Sequence, residues 1–431
     1  MLKTAPTPGD TSWFIHDRFG LFIHWGLYAM LGRHEWVRNY ERISNEDYQK
    51  YFDRFDPDLY DPDRWAAAAA GAGMKYFVVT TKHHEGFCLW DSKLTDYKAP
   101  NTPAKRDLLK PMVEAFRKRG LRVGFYHSLL DWHHEHYTTD VNHPMRENEE
   151  YIKADAKRDL KKYVDYLHGQ TRELLSKYGK VDILWYDFSV GPSGRFKGKG
   201  KAEWRSSELI RLVRKLQPKI LLNDRLQIDQ DIKTPEQFVP RAWVRVNGKP
   251  VVWEACHTLS GSWGYHRDEE SWKTVDQLVK MLIDCVSRGG NLLLNVGPTG
   301  RGEFDARALD RLSGMGEWMK RHGRAIYGCT QAPEEYKCPS DCRFTYNPDT
   351  RRLYLHIYSW PFRHLHLDGM GGQVEYAQLL NDGSEVKMLK RVPEEEYGAM
   401  KPDRKETLLT LELPVKKPAV TVPVIELFLK K

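Results

Sequence analysis

The stretch Val181 to Phe188, VDILWYDF, is an apolar run that ends in a lone carboxylate, Asp187. A buried strand has no structural use for an acid at its end, so Asp187 is the first candidate for chemistry. Similar endings recur along the chain: His24-Trp25-Gly26, Lys82-His83-His84-Glu85-Gly86, Tyr126-His127-Ser128, Asn223-Asp224-Arg225 and Trp253-Glu254, with Trp263-Gly264-Tyr265 close behind the last. His, Trp, Tyr, Arg and carboxylates at six strand ends describe a pocket that hydrogen-bonds hydroxyl groups and stacks on a ring.

A pocket of this kind that breaks a glycosidic bond needs two carboxyl groups, one as nucleophile or base and one as acid. Asp187 fits the nucleophile, because a strand end fixes it and Arg225 on the next strand can keep it ionised. The acid must carry a raised pKa. Glu236, in Lys233-Thr234-Pro235-Glu236, and Glu254 are both candidates, and spacing alone does not choose between them. A metal site built on His83, His84 and His127 is disfavoured. Adjacent strand residues point to opposite faces, and the H-x-H spacing of strand-borne zinc is absent.

The elements that must position these groups follow a repeating pattern. Apolar runs at Leu21 to Gly26, Tyr76 to His84, Leu121 to Ser128, Val181 to Asp187, Lys219 to Asp224, Val251 to Cys256 and Asn291 to Gly297 read as strands. Helical stretches lie between and after them: Pro62 to Gly73, Leu109 to Gly120, Glu149 to Gly179, Glu203 to Pro218, Thr274 to Gly289 and Ala306 to Gly323. The alternation predicts an α/β protein, a (β/α)8-like catalytic barrel with one irregular strand, over residues 1–330. An open doubly wound sheet is disfavoured because no G-x-G-x-x-G follows an early strand. Short, partly alternating segments between Pro, Gly and Asp turns predict a small antiparallel β-sandwich domain over residues 331–431. In a barrel of this type the active site lies at the C-terminal ends of the strands, where the polar residues cluster.

Composition narrows the function classes. The net charge is +8, but the charges are mixed along the chain rather than concentrated as a nucleic-acid footprint. One basic cluster, Arg195 to Lys201, reads as a solvated, mobile loop. The six cysteines imply no disulfide framework, and the single C-x3-C of Cys338 and Cys342 is weak evidence for zinc. There is no run of 18 apolar residues and no signal-peptide pattern in MLKTAPTPGDTSWF, so the chain as given is expected to be cytoplasmic and free of the membrane.

Taken together, the motifs resemble those of the α-L-fucosidases of glycoside hydrolase family 29. They are FGLFIHWG (Phe19 to Gly26), EW (Glu35, Trp36), TTKHHEGFCLWDS (Thr80 to Ser92), RDLL (Arg106 to Leu109) and LWYD (Leu184 to Asp187). NDR (Asn223 to Arg225), SWGY (Ser262 to Tyr265), GGNLLLNVGPTGRG (Gly289 to Gly302) and GRAIYG (Gly323 to Gly328) follow in order. The resemblance implies a barrel followed by a β-sandwich, and retaining hydrolysis of terminal α-L-fucose from fucosylated oligosaccharides, with no metal or cofactor. It places the nucleophile on Asp187 and favours Glu236 as acid/base, with Glu254 as second choice. The implied sugar pocket comprises His24, Glu35, Trp36, His83, His84, Trp185, Arg225 and Trp263, with either Tyr126 or His127 from the third strand. One departure follows the nucleophile: this chain has Phe188 where many relatives have Gly. A homo-oligomer is compatible with the resemblance, and the linkage preference is not legible. Rival expectations are a noncatalytic sugar-binding relative and an exoglycosidase for a related sugar such as galactose.

Overall fold

The computed structural model describes residues 4–389 and 407–430. Seven parallel strands make one sheet: β1 Phe19–Ile23, β2 Tyr76–Lys82, β3 Arg122–Ser128, β4 Ile183–Asp187, β5 Leu221–Leu222, β6 Glu254–Thr258 and β7 Asn291–Val296. Their hydrogen-bonded order is β5-β4-β3-β2-β1-β7-β6. The two ends, β5 and β6, do not pair with each other. Between them runs the segment 232–236, joined through single parallel bridges from Ile232 to Asn223, from Lys233 to Trp253 and from Glu236 to Cys256. This is the irregular eighth element, and it closes the (β/α)8-like barrel.

Alternation along the strands sorts the core into two layers. Phe22, Tyr76, Val78, Tyr126, Trp185 and Leu293 fill the barrel interior, while Leu21, Phe77, Phe125 and Leu184 face the surrounding helices. The helix Ser12–Asp17 stoppers the N-terminal end, with Trp13 and Phe14 at centroid distances of 5.7 and 5.4 Å from Tyr76. Several of the outer helices begin on side-chain caps that satisfy their first free N–H groups. Asp61 caps Pro62–Gly71 and Thr274 forms a capping box with Gln277 at the start of Val275–Val286. The long helical stretch expected from Glu149 to Gly179 is broken. Its second part, Leu160–Lys177, starts afresh on an Asp159 cap.

Two strand boundaries differ from expectation, with consequences for the site. β5 is only two residues long because the Asp231 carboxylate takes the Leu222 N–H at 2.8 Å, turning the chain back at once. β6 begins at Glu254 rather than ending near it, because Val251 and Val252 are already engaged by Val244 and Lys233. Glu254 therefore opposes Asn291 at the N-terminal end of the barrel.

From Thr330 onward the chain is antiparallel. Strands Thr330–Gln331, Cys342–Asn347, Arg352–Ile357, Val424–Leu429 and Val374–Leu379 form one sheet in that spatial order, and His364–Leu367, Leu409–Glu412 and Lys387–Leu389 form a second. Leu353, Leu355, Leu367, Leu411 and Leu427 are buried in the core of this unit. It docks on the barrel helices through the Trp318 indole donating to the Val422 carbonyl at 2.9 Å and through Arg343 and Tyr358 on Asp284. No helix among the described residues is long and apolar enough to cross a membrane. The basic cluster is not wholly solvated: Lys199 is buried and donates to Asp140 at 2.7 Å and to the Thr138 carbonyl at 2.8 Å. A buried ammonium needs such partners, and this one pins the loop.

Candidate active site

The C-terminal end of β4 places Asp187, which is buried, among side chains from β3 and the segment after β5. Its Oδ2 accepts the Tyr126 hydroxyl from β3 at 2.7 Å, and its Oδ1 accepts Arg225 Nη1 at 3.2 Å. His84 Nε2 lies 3.8 Å from the same carboxylate. Burial pushes the Asp187 carboxyl up to about 6, and the Glu236 carboxylate pushes the same way, while Arg225 and Tyr126 hold it down. A carboxyl balanced in this way is ionised at neutral pH and still poorly solvated, which is the state a nucleophile needs.

Arg225 is the hinge of the site. Its Nη2 donates to Glu236 Oε2 at 2.7 Å while Nη1 holds Asp187, so one guanidinium spans both carboxylates. Nε is aimed by Thr234 Oγ1 at 3.2 Å, and the cation sits 4.9 Å from the Trp185 ring centroid. Burial pulls Arg225 down, and the two carboxylates more than restore it, leaving it above its ordinary value. Glu236 comes from the closing segment and keeps 41% of its side chain exposed, in contrast to Asp187.

Neutral rings and fixed dipoles surround Asp187 and its neighbours. His24 is bonded to Asn295 at 2.7 Å and lies 5.2 Å from the Trp263 ring; burial drops its pKa to about 3. His83 and His84 are driven well down by burial as well, so all three are uncharged imidazoles. His84 Nδ1 is oriented by Ser128 at 2.6 Å. His83 Nδ1 is buried and has no hydrogen-bond partner among the described residues. Such a group carries a desolvation cost until something fills it. Trp185 stacks on Tyr126 at 5.8 Å, and Trp36 meets His84 edge-on at 5.3 Å.

Glu35 acts on the backbone. Its Oε2 accepts the N–H groups of Trp263 at 3.1 Å and Gly264 at 2.9 Å, and so holds the loop that presents the Trp263 ring. That loop also lies flat on Gly297, where an added Cβ would sit 2.4 Å from the Gly264 carbonyl carbon.

Three carboxylates of the site each adjoin a non-glycine residue in the left-handed region: His34 (φ 94°) before Glu35, Phe188 (φ 70°) after Asp187 and Gln237 (φ 60°) after Glu236. Each costs about 1–2 kcal/mol, and strain of this kind concentrates at functional sites.

Not every expected residue comes to the pocket. His127 alternates with Tyr126 and faces the helix layer, bonded to Thr81 at 3.0 Å and near Trp90, so Tyr126 is the residue that β3 contributes. Glu254 is fully buried below the interior layer, bonded to the Tyr76 hydroxyl, and reaches no open space. Asn295, which orients His24 and donates to the Trp263 carbonyl at 2.6 Å, was not among the expected site residues. An amide at the end of the apolar run NLLLNV was the same signal that marked Asp187. Among the described residues, no three His, Cys, Asp or Glu side chains are grouped as a metal ion would require.

The α-L-fucosidase family model matches residues 4–324. The chain belongs to the α-L-fucosidase family. It is 30% identical to human plasma α-L-fucosidase over 379 residues, covering 81% of this chain and 76% of that protein. The α-L-fucosidase isoenzyme 1 from Paenibacillus thiaminolyticus superposes with a TM-score of 0.90 at 45% identity, covering 98% of this chain and 99% of that one. A trapped covalent intermediate of an α-L-fucosidase from Bacteroides thetaiotaomicron, formed with 2-fluoro-fucosyl fluoride, superposes with a TM-score of 0.83 at 26% identity. It covers 100% of this chain and 98% of its own. The fold of this fucosidase is thus shared with those enzymes.

Proposed function

We propose that the chain is a retaining exo-α-L-fucosidase, acting by double displacement, in which Asp187 is the nucleophile and Glu236 the acid/base. The observation that carries the residue assignment is the Arg225 bridge, which sets a buried carboxylate at a strand end opposite a solvent-reached one on the closing segment. In the first step Asp187 attacks the anomeric carbon and Glu236 gives its proton to the departing oxygen. Arg225 has to release Glu236 and remain on Asp187 for this, so the entering sugar is the trigger that turns the guanidinium. In the second step Glu236 takes a proton from water, which attacks the fucosyl ester and frees Asp187. The neutral histidines hold sugar hydroxyls without competing for the Asp187 charge, and Trp185 and Trp263 supply the apolar walls that suit the ring and its methyl group.

The test uses azide. Asp187→Asn with azide and a fucoside of good leaving group should yield the inverted β-L-fucosyl azide, because azide replaces the nucleophile. Glu236→Gln should yield the retained α-L-fucosyl azide, because azide replaces the activated water. The opposite assignment of products, or α-azide from Glu254→Gln, would overturn the roles.

A further inference from the structure

We infer that Phe188, with Trp36 and Tyr40, forms an aromatic platform at the pocket rim that receives the C–H face of the pyranose ring linked to fucose. This rests on the fucosidase reading above and extends it to the leaving-group side.

The first ground is conformational. At φ 70° Phe188 occupies backbone space that favours glycine, and the chain keeps a phenyl ring there. Burial accounts for it only in part, because the ring packs against the core yet stays partly exposed. Its aromatic neighbours are side chains of the site: it meets His84 edge-on at 5.1 Å and 90°, and Trp36 at 5.5 Å. The second ground is continuity. Trp36 lies 6.3 Å from Tyr40, which is 62% exposed on the helix Val37–Tyr40. The three rings thus step from beside the nucleophile out to solvent. Trp132 backs Trp36 at 5.4 Å and keeps the step rigid. Ser189 Oγ donates to the Arg225 carbonyl at 2.9 Å, so the segment carrying Phe188 is tied to the residue that bridges the two carboxylates.

A run of aromatic faces with one end in the pocket and the other in water suits a ligand with an apolar face and polar edges. The bare fucose pocket is already walled by Trp185 and Trp263 and edged by Trp36, which leaves Phe188 and Tyr40, the rings on either side of Trp36, to the group beyond the glycosidic oxygen.

The experiment compares wild type with Phe188→Gly and Tyr40→Ala on α-L-fucosyl fluoride, which has no leaving ring, and on fucosyl disaccharides of each linkage, using the one wild type cleaves fastest. The platform predicts that Phe188→Gly lowers kcat/KM for the disaccharide at least tenfold more than for the fluoride, mainly through KM, and that Tyr40→Ala moves the same ratio less. Glycine suits the backbone at this position, so the variant should fold. Equal losses on both substrates, or no change in the ratio, would overturn the platform. So would a wild type that cleaves the fluoride and no disaccharide. A wild type inactive on the fluoride and on every fucoside would instead sink the fucosidase reading itself.

Discussion

The two arcs of the barrel are built differently, and each carries one carboxylate. From β7 through β1, β2 and β3 to β4 the ladders are continuous, and the residues at their ends, His24, His84, Tyr126 and Asp187, are buried and cross-bonded. From β5 to β6 pairing is reduced to single bridges, and this arc supplies Arg225 and the partly exposed Glu236. The difference matches the demands of the chemistry. A nucleophile must be fixed to within fractions of an ångström of the anomeric carbon, whereas an acid/base has to meet both a departing oxygen and an incoming water. The regular arc fixes geometry, and the irregular arc admits solvent.

The comparison breaks most sharply at Asp187. Asp187→Asn should lower turnover of p-nitrophenyl α-L-fucoside by roughly a thousandfold or more, since the proposed mechanism forms the ester on Asp187. It should also leave Arg225 over-charged in a largely buried place. Glu236→Gln should cost on the order of 10²–10⁴-fold with poor leaving groups, and much less in the first step with p-nitrophenol, which departs unaided. Pre-steady-state bursts on the two substrate types would show it. A uniform loss on both would mean that Glu236 positions rather than transfers protons. Third comes pH. With Asp187 at about 6, kcat/KM should fall about tenfold per pH unit below that value as the nucleophile takes up its proton. Arg225→Lys, with a single ammonium in place of the two-pronged guanidinium, should move that limb to higher pH. An acid limb unmoved by this change would separate it from Asp187.

The regular arc was also the legible one. Short apolar runs marked its strands, and the polar residues closing them marked the site, because an acid or histidine at the end of a buried strand has no packing role to explain it. In the irregular arc β5 and β6 were legible as apolar runs, and the element between them only as a gap, one strand short of eight. Ile232 to Glu236 carries Pro235 and too few apolar residues to read as a strand, and its hydrogen bonds go first to β5, from Ile232, and then to β6 and the residues entering it. The same irregularity displaced the start of β6. A pattern of hydrophobicity reports which residues are buried, but not which end of the strand they occupy, so Glu254 read as a strand end when it is a strand beginning. His127 misled for a simpler reason: next to Tyr126 it shares the strand end but faces the opposite side, and only register settles which of two neighbours points inward.

Glu254 supplies the smallest effect on turnover and the finest test of the comparison. It opens β6 at the border of the irregular arc, fully buried and bonded to Tyr76, and burial pushes it up to about 8 against hydrogen bonding from Tyr76 and Trp185. A carboxyl raised in the folded state contributes stability that is complete below its unfolded value near 4.5 and is lost as pH rises from there through about 8. Glu254→Gln removes that dependence. Urea unfolding at pH 5 and pH 8 should show wild type losing a few kcal/mol that the variant does not lose, since each pH unit between the unfolded and folded pKa is worth about 1.36 kcal/mol. Turnover of p-nitrophenyl α-L-fucoside by the variant should stay within about tenfold of wild type, because the group touches no open space and its influence passes only through the packing beneath Trp185. Parallel stability curves would show that Glu254 is already ionised in the fold. A collapse of turnover in a well-folded variant would return it to the catalytic pair and take from the irregular arc the role assigned to Glu236.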